Sequence, residues 1–244
     1  MRESERLWHL AHKYRMGMSF HGLWVEDTNL ADVASRIGAD PASGVECTWA
    51  DIGEGPNPGG NTGIAWMGRL NTGWTQIIVV GATPFDPLSA LSAGNRRALE
   101  FAWTVNGVHD VLLAVDGRYV TALSATRPGV RKGTDPHALD RYTSGLQFDA
   151  EDSSWRSDPD LLPSWLEYSD WAETLIDMSD DDMVDDPHES MPSEFRQPLE
   201  LSLNGYSPPM ATCVTSALVV VGRITGRELD EEWMNGLHTR VLIP

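Results

Sequence analysis

His9 and His12 stand three residues apart, a spacing that sets two imidazoles on one side of a helix, and His21 follows a short way along the chain. Two histidines so placed can share a metal ion, but a zinc site needs three or four ligands at fixed geometry. No further ligand at metal spacing accompanies them, and the expectation is neither a metal nor another cofactor. The stretch Gly53-Glu54-Gly55-Pro56-Asn57-Pro58-Gly59-Gly60 has the glycines of a phosphate cradle. It lacks the Lys-Ser/Thr that would follow and opens onto no helix. The carboxylates Asp177, Asp180, Asp181, Asp182, Asp185, Asp186 and Glu189 are the candidate partner-binding residues; they make no calcium loop, since from a start at Asp180 or Asp182 the central glycine and closing glutamate are both missing. There is no Gly-x-Ser-x-Gly, and neither Cys47 nor Cys213 has a histidine beside it in sequence, so no nucleophile motif is present. What remains is a possible pocket at Asp110, with His109 and Trp103 close to it.

Asp110 stands out because of the elements around it. Asn106-Gly107 and Asp116-Gly117 are both hairpin signatures, each asking for positive φ at two successive positions. Two-residue turns set Val105 opposite Val108 and Val115 opposite Arg118, which makes a three-stranded meander from Leu99 to Ala125. In that register one face carries Phe101, Trp103, Val105, Val108, Leu112, Ala114, Tyr119 and Leu123, and is read as core. The other carries Glu100, Thr104, His109 and Arg118. Asp110 then falls on the core face beside Trp103, where a carboxylate must be paired or hydrogen-bonded, or its pKa rises.

The remaining chain supplies the supports. Leu7, Leu10, Ala11 and Tyr14 form one face of an opening helix. Met18 to Val25 reads as a strand, and Leu30, Val33, Ala34 and Ile37 are the stripe of a second helix capped by Thr28 or Asn29 and closed by Gly38. Strands are expected over Val45 to Ala50, Gly63 to Arg69 and Trp74 to Val80. Asp86-Pro87 starts a short helix over Leu88 to Ala93. A longer helix is expected from Asp158 to Ile176, a buried one, apolar nearly all round, over Ala211 to Ile224, and a short strand at Val241-Leu242-Ile243. The fold class is α+β: a mostly antiparallel sheet with the meander at its centre and helices packed on one face. Residues 1–148 form the sheet domain and 149–200 an acidic helix and loop segment. Residues 201–244 are a buried helix and strand packing back on the sheet, the whole making one folding unit.

At 244 residues such a chain buries roughly 70% of its unfolded surface and needs no staples. The two cysteines, far apart, and a charged N-terminus without an apolar core behind it suggest a cytoplasmic protein with free thiols. Unbroken apolar runs fall short of the roughly 18 residues a membrane span takes. Net charge is −18 and very uneven: residues 149–200 hold 17 acids against only Arg156 and Arg196, a local charge of −15. Such a surface repels nucleic acid and anionic membrane and attracts a basic partner. Ten tryptophans, among them Trp24, Trp49, Trp66, Trp74 and Trp103 on or beside strands, supply core and aromatic surface.

Three stretches carry a family resemblance: Leu30-Ala31-Asp32-Val33-Ala34-Ser35-Arg36-Ile37-Gly38-Ala39-Asp40-Pro41, Trp103-Thr104-Val105-Asn106 with Val115-Asp116-Gly117-Arg118, and Ala217-Leu218-Val219-Val220-Val221-Gly222-Arg223-Ile224-Thr225-Gly226-Arg227-Glu228-Leu229. In this order they resemble an uncharacterised actinobacterial family of streptomycete type. That resemblance implies one fold unit in a bacterial cytoplasm and assigns no catalytic residue. The favoured expectation is a non-catalytic protein-binding module that engages a basic protein through its acidic segment, in an immunity- or mimic-type role. The alternative is an enzyme or small-ligand-binding protein with a pocket at the sheet near Asp110 and Trp103. Salt-sensitive binding marks the first, and a concave pocket the second.

Overall fold

The structure is a computed structural model, and it describes residues 2–53, 63–81, 86–104, 106–157, 163–177, 191–196, 198–199 and 207–243. Among the described residues, strand-forming residues in alternation build ten strands: β1 (Ser19–Val25), β2 (Val45–Cys47), β3 (Gly63–Arg69), β4 (Thr75–Val80), β5 (Arg97–Thr104), β6 (Gly107–Val108), β7 (Val111–Val115), β8 (Arg118–Leu123), β9 (Arg131–Lys132) and β10 (His238–Ile243). They lie in one sheet in the order β2-β10-β3-β4-β1-β5-β7-β8-β9, with β6 paired to β5, and every pairing is antiparallel. The α+β class, the antiparallel sheet and the meander β5–β8 are as the sequence predicts.

Among the described residues six α-helices accompany the sheet: α1 (Arg6–Lys13), α2 (Leu30–Arg36), α3 (Pro87–Ser92), α4 (Pro163–Asp177), α5 (Pro208–Thr225) and α6 (Glu231–Met234). Their ends follow cap chemistry. The side chains of Asn29, Asp86, Ser207 and Asp230 accept the first free N–H groups of α2, α3, α5 and α6. Gly226, at φ 82°, closes α5. By length and hydropathy α5 would pass for a membrane span, yet 78% of it is buried inside the protein. It lies with α1 on the sheet face that carries Trp24, Trp66, Phe101 and Trp103. The Thr215 hydroxyl accepts the Trp8 N–H at 3.2 Å, so α5 satisfies one of the orphan donors in the first turn of α1.

The helices are not confined to that face. Val33 and Ala34 of α2, Ile37 at its C-cap, and Leu88 and Leu91 of α3 pack over Leu23, Val25, Met67, Ile77 and Ala98 on the second face and make a smaller core there. The reason lies in the apolar residues that alternate onto both sides of β1, β3 and β4, which no single helical layer could cover. This second layer stops short: His21, Glu100 and Ala102, at the other end of β1 and β5, stay half-buried. A third cluster, Trp165, Tyr168 and Phe195 with Trp171 and Leu199, gathers around α4 apart from both cores.

The meander departs from the expected register by one residue, and this corrects the placement of Asp110. The second turn is as read: Asp116 (φ 49°) and Gly117 (φ 76°) connect Val115 to Arg118. In the first, Thr104 pairs with Gly107 and Trp103 with Val108, so Gly107 lies in the ladder and the turn sits one residue earlier. Pairing then passes to Glu100 opposite Leu112, which leaves one extra residue on the second strand, a β-bulge at His109-Asp110. Val111 and Leu113, rather than Leu112 and Ala114, therefore join Phe101 and Trp103 in the large core.

Candidate ligand cleft

Two strands that should run side by side to their ends part instead. The β1–β4 ladder extends from Val25 opposite Thr75 only to Gly22 opposite Ile78. Beyond this, β1 stays with β5 as far as Ser19 opposite Thr104, and β4 stays with β3 as far as Val80 opposite Ile64. A cleft of about 360 Å³ fills the fork between them.

One wall is aromatic. Phe20 and Trp103 stack with centroids 4.4 Å apart and planes 19° apart. The Trp103 indole N–H is held by the carbonyls of Met16 and Gly17, at 3.2 Å each. Trp49, half-buried, donates to the Tyr14 carbonyl at 2.8 Å and also borders the cleft. Gly22 makes this wall possible: a Cβ there would meet Trp24 at 2.5 Å and Phe20 at 2.6 Å.

The other wall is polar. His21 stands opposite Ala102 in the ladder, so Glu100, two residues along β5, is its diagonal neighbour on the same face. The His21 Nε2 and a Glu100 carboxylate oxygen are 2.9 Å apart, with 21% of each side chain exposed. With Nε2 occupied, Nδ1 has no protein partner among the described residues and can meet a ligand. The bulge brings in the rest. His109 is exposed on the same cleft, and Asp110, half-buried, borders an adjoining lobe of about 200 Å³ together with Glu100, Ala102 and His109. Past Arg15, Trp49 and Val80 the cleft continues into a groove of about 710 Å³ reaching Lys13, Tyr14, Met234 and Asn235.

Trp103 and His109 thus border one cleft and Asp110 its side lobe, with Asp110 on the face opposite the one expected. His21 and Glu100 are new: each alternates onto the more polar face, but 79 residues separate them and only the strand register pairs them. His9 and His12 pack about the buried Trp8, His12 stacked at 3.4 Å and His9 edge-on at 5.1 Å. Among the described residues no three metal-binding side chains converge. Asp177 is the last residue of α4, and Asp180, Asp181, Asp182, Asp185, Asp186 and Glu189 lie outside the described residues. Of the acidic segment's described carboxylates, Asp170 and Glu173 pair with Arg156 at 3.1 and 2.8 Å. Cys47 and Cys213 are free thiols, and burial pushes Cys213 up to about 12.

The fold and site define an antiparallel sheet clad by helices on both faces, with a forked cleft opening between two of its middle strands. Comparison with protein-family models, curated proteins and solved structures finds no match.

Proposed function

We propose that this protein binds a small organic ligand in the fork between β1 and β4. The observation that carries the reading is the end of the β1–β4 ladder at Gly22 and Ile78, which opens a cavity between a stacked aromatic wall and the His21–Glu100 pair. Apolar walls with a few converging polar groups are the usual make-up of a small-molecule site. Half-buried Trp49 supplies ring surface, the buried Phe20–Trp103 stack backs the wall behind it, and the histidine–carboxylate pair supplies orientation. The test is a thermal-shift screen of small molecules against the natural chain and Ala102→Phe, which fills the cleft from its floor. Ligands that stabilise the first and not the second support the reading; equal stabilisation of both contradicts it.

The charge distribution favours a second reading, a basic protein partner on the acidic segment. Its support is the net −15 of residues 149–200 and the separate aromatic cluster around α4, with Glu167, Asp170 and Glu173 exposed. Amides in place of the Asp180–Asp186 carboxylates should abolish low-salt capture of such a partner, and undiminished capture counts against it. The free thiols support a cytoplasmic setting. Membership of the actinobacterial family is likewise proposed, its three similar stretches falling on α2, the meander and α5.

A further inference from the structure

We infer that Arg15 is the anion-recognising residue of this cleft, and that the ligand is a flat apolar molecule carrying one acidic group; the inference rests on the cleft being the binding site. Arg15 borders both the fork and the larger groove, at the point where they join. It is exposed, and no carboxylate stands within ion-pair range of it among the described residues. By contrast Arg6, Lys13, Arg36, Arg96, Arg97 and Arg227 all have carboxylate partners. Arg69 and Arg118 likewise have no carboxylate partner among the described residues, but of the described arginines it is Arg15 that borders this cleft.

Backbone conformation adds a second argument. The Arg15 N–H donates to the His12 carbonyl and the Met16 N–H to the Ala11 carbonyl, both at 2.9 Å. This is the Schellman ending of α1, with Arg15 at the left-handed position, φ 60°. The turn alone would be best served by glycine, and an ordinary side chain there costs about 1–2 kcal/mol. Among the described residues the other non-glycine positions with positive φ are Asn95 and Asp116, types that tolerate it, so arginine is the exception. Nor is the charge needed to complement the end of the helix, since His12 and Lys13 already lie in its last turn. Both costs are explained if the guanidinium is there to meet an acid. A planar fork of donors suits a carboxylate or sulfonate. The anion's apolar body then extends along Trp49, with the buried Phe20 and Trp103 behind the wall, and its far end reaches His21.

The test uses two fluorescent probes with nearly the same apolar body, anilinonaphthalene sulfonate, which is anionic, and N-phenylnaphthylamine, which is neutral. Each is titrated into the full chain near physiological ionic strength, where charges beyond about 8 Å are screened. Arg15→Gln should weaken the sulfonate about tenfold or more and leave the neutral probe within twofold, with Arg15→Lys between. Arg118→Gln, on the far strand β8, should change neither. A sulfonate affinity within twofold of the natural chain's in Arg15→Gln overturns the inference while leaving the cleft intact. Failure of Ala102→Phe to weaken either probe, or failure of both probes to bind, overturns the cleft itself and the inference with it.

Discussion

His21 and Glu100 meet at 2.9 Å across the β1–β5 ladder, at the end of the second sheet face that α2 and α3 leave uncovered. Replacing either should separate binding from folding. With a fifth of each side chain exposed, the pair contributes no more than about 1 kcal/mol to stability. Glu100→Gln should therefore shift the urea midpoint little, yet weaken a cleft ligand several-fold by releasing the imidazole. Denaturation and titration of one preparation check both.

Gly22 tests the aromatic wall. A methyl group there meets the Trp24 and Phe20 rings at 2.5 and 2.6 Å, and both rings are held in the large core. Gly22→Ala should cost about 1–3 kcal/mol by overpacking, measured as a lower denaturation midpoint. It should also perturb tryptophan fluorescence.

His238 sets a pH dependence. Its Nε2 lies 2.8 Å from the Trp233 carbonyl, its ring stacks on Trp233 at 4.2 Å, and burial lowers its pKa. Because the folded imidazole takes a proton less readily than the unfolded one, stability is lost as pH falls below the ordinary histidine value of about 6.5. The loss levels off once pH passes below the lowered folded value. His238→Gln should flatten this stretch of a stability profile. A separate fall at lower pH should remain, since Glu26 and Asp32 are held low first by hydrogen bonds from Arg97 and Arg36 and need their charge to keep those contacts.

Asp230 caps α6, accepting the Trp233 N–H at 2.7 Å, and also holds Arg227 at 2.8 and 2.9 Å. Asp230→Ala should cost about 1–2 kcal/mol in denaturant unfolding, and Asp230→Asn, which keeps a capping oxygen, should recover a good part.

The two thiols should differ in reactivity. Cys47 is half-buried and Cys213 fully buried with its pKa pushed up to about 12. A thiol reagent at mildly alkaline pH should modify Cys47 first, and Cys213 only when the protein unfolds.

Much of the scaffold could be read from local chemistry. β3 spans the same Gly63 to Arg69 that alternation marks, and Asn29 and Asp86 cap helices where their types predict. What escaped was non-local. The first hairpin turns one residue early, which placed Asp110 on the wrong face, and β10, expected as three residues, runs from His238 because it pairs with both β2 and β3. The fork between β1 and β4 has no local signal, since His21 and Val79 are each ordinary strand residues. Arg15 did carry one, a helix ending without glycine, visible only once the end of α1 is known.

The most direct measurement is an amide chemical-shift map of the full chain titrated with N-phenylnaphthylamine. The account predicts shifts concentrated at Phe20, His21, Val79, Ala102 and His109, fading toward α4. Shifts centred on the α4 cluster or scattered over the surface, with those amides unmoved, would contradict it.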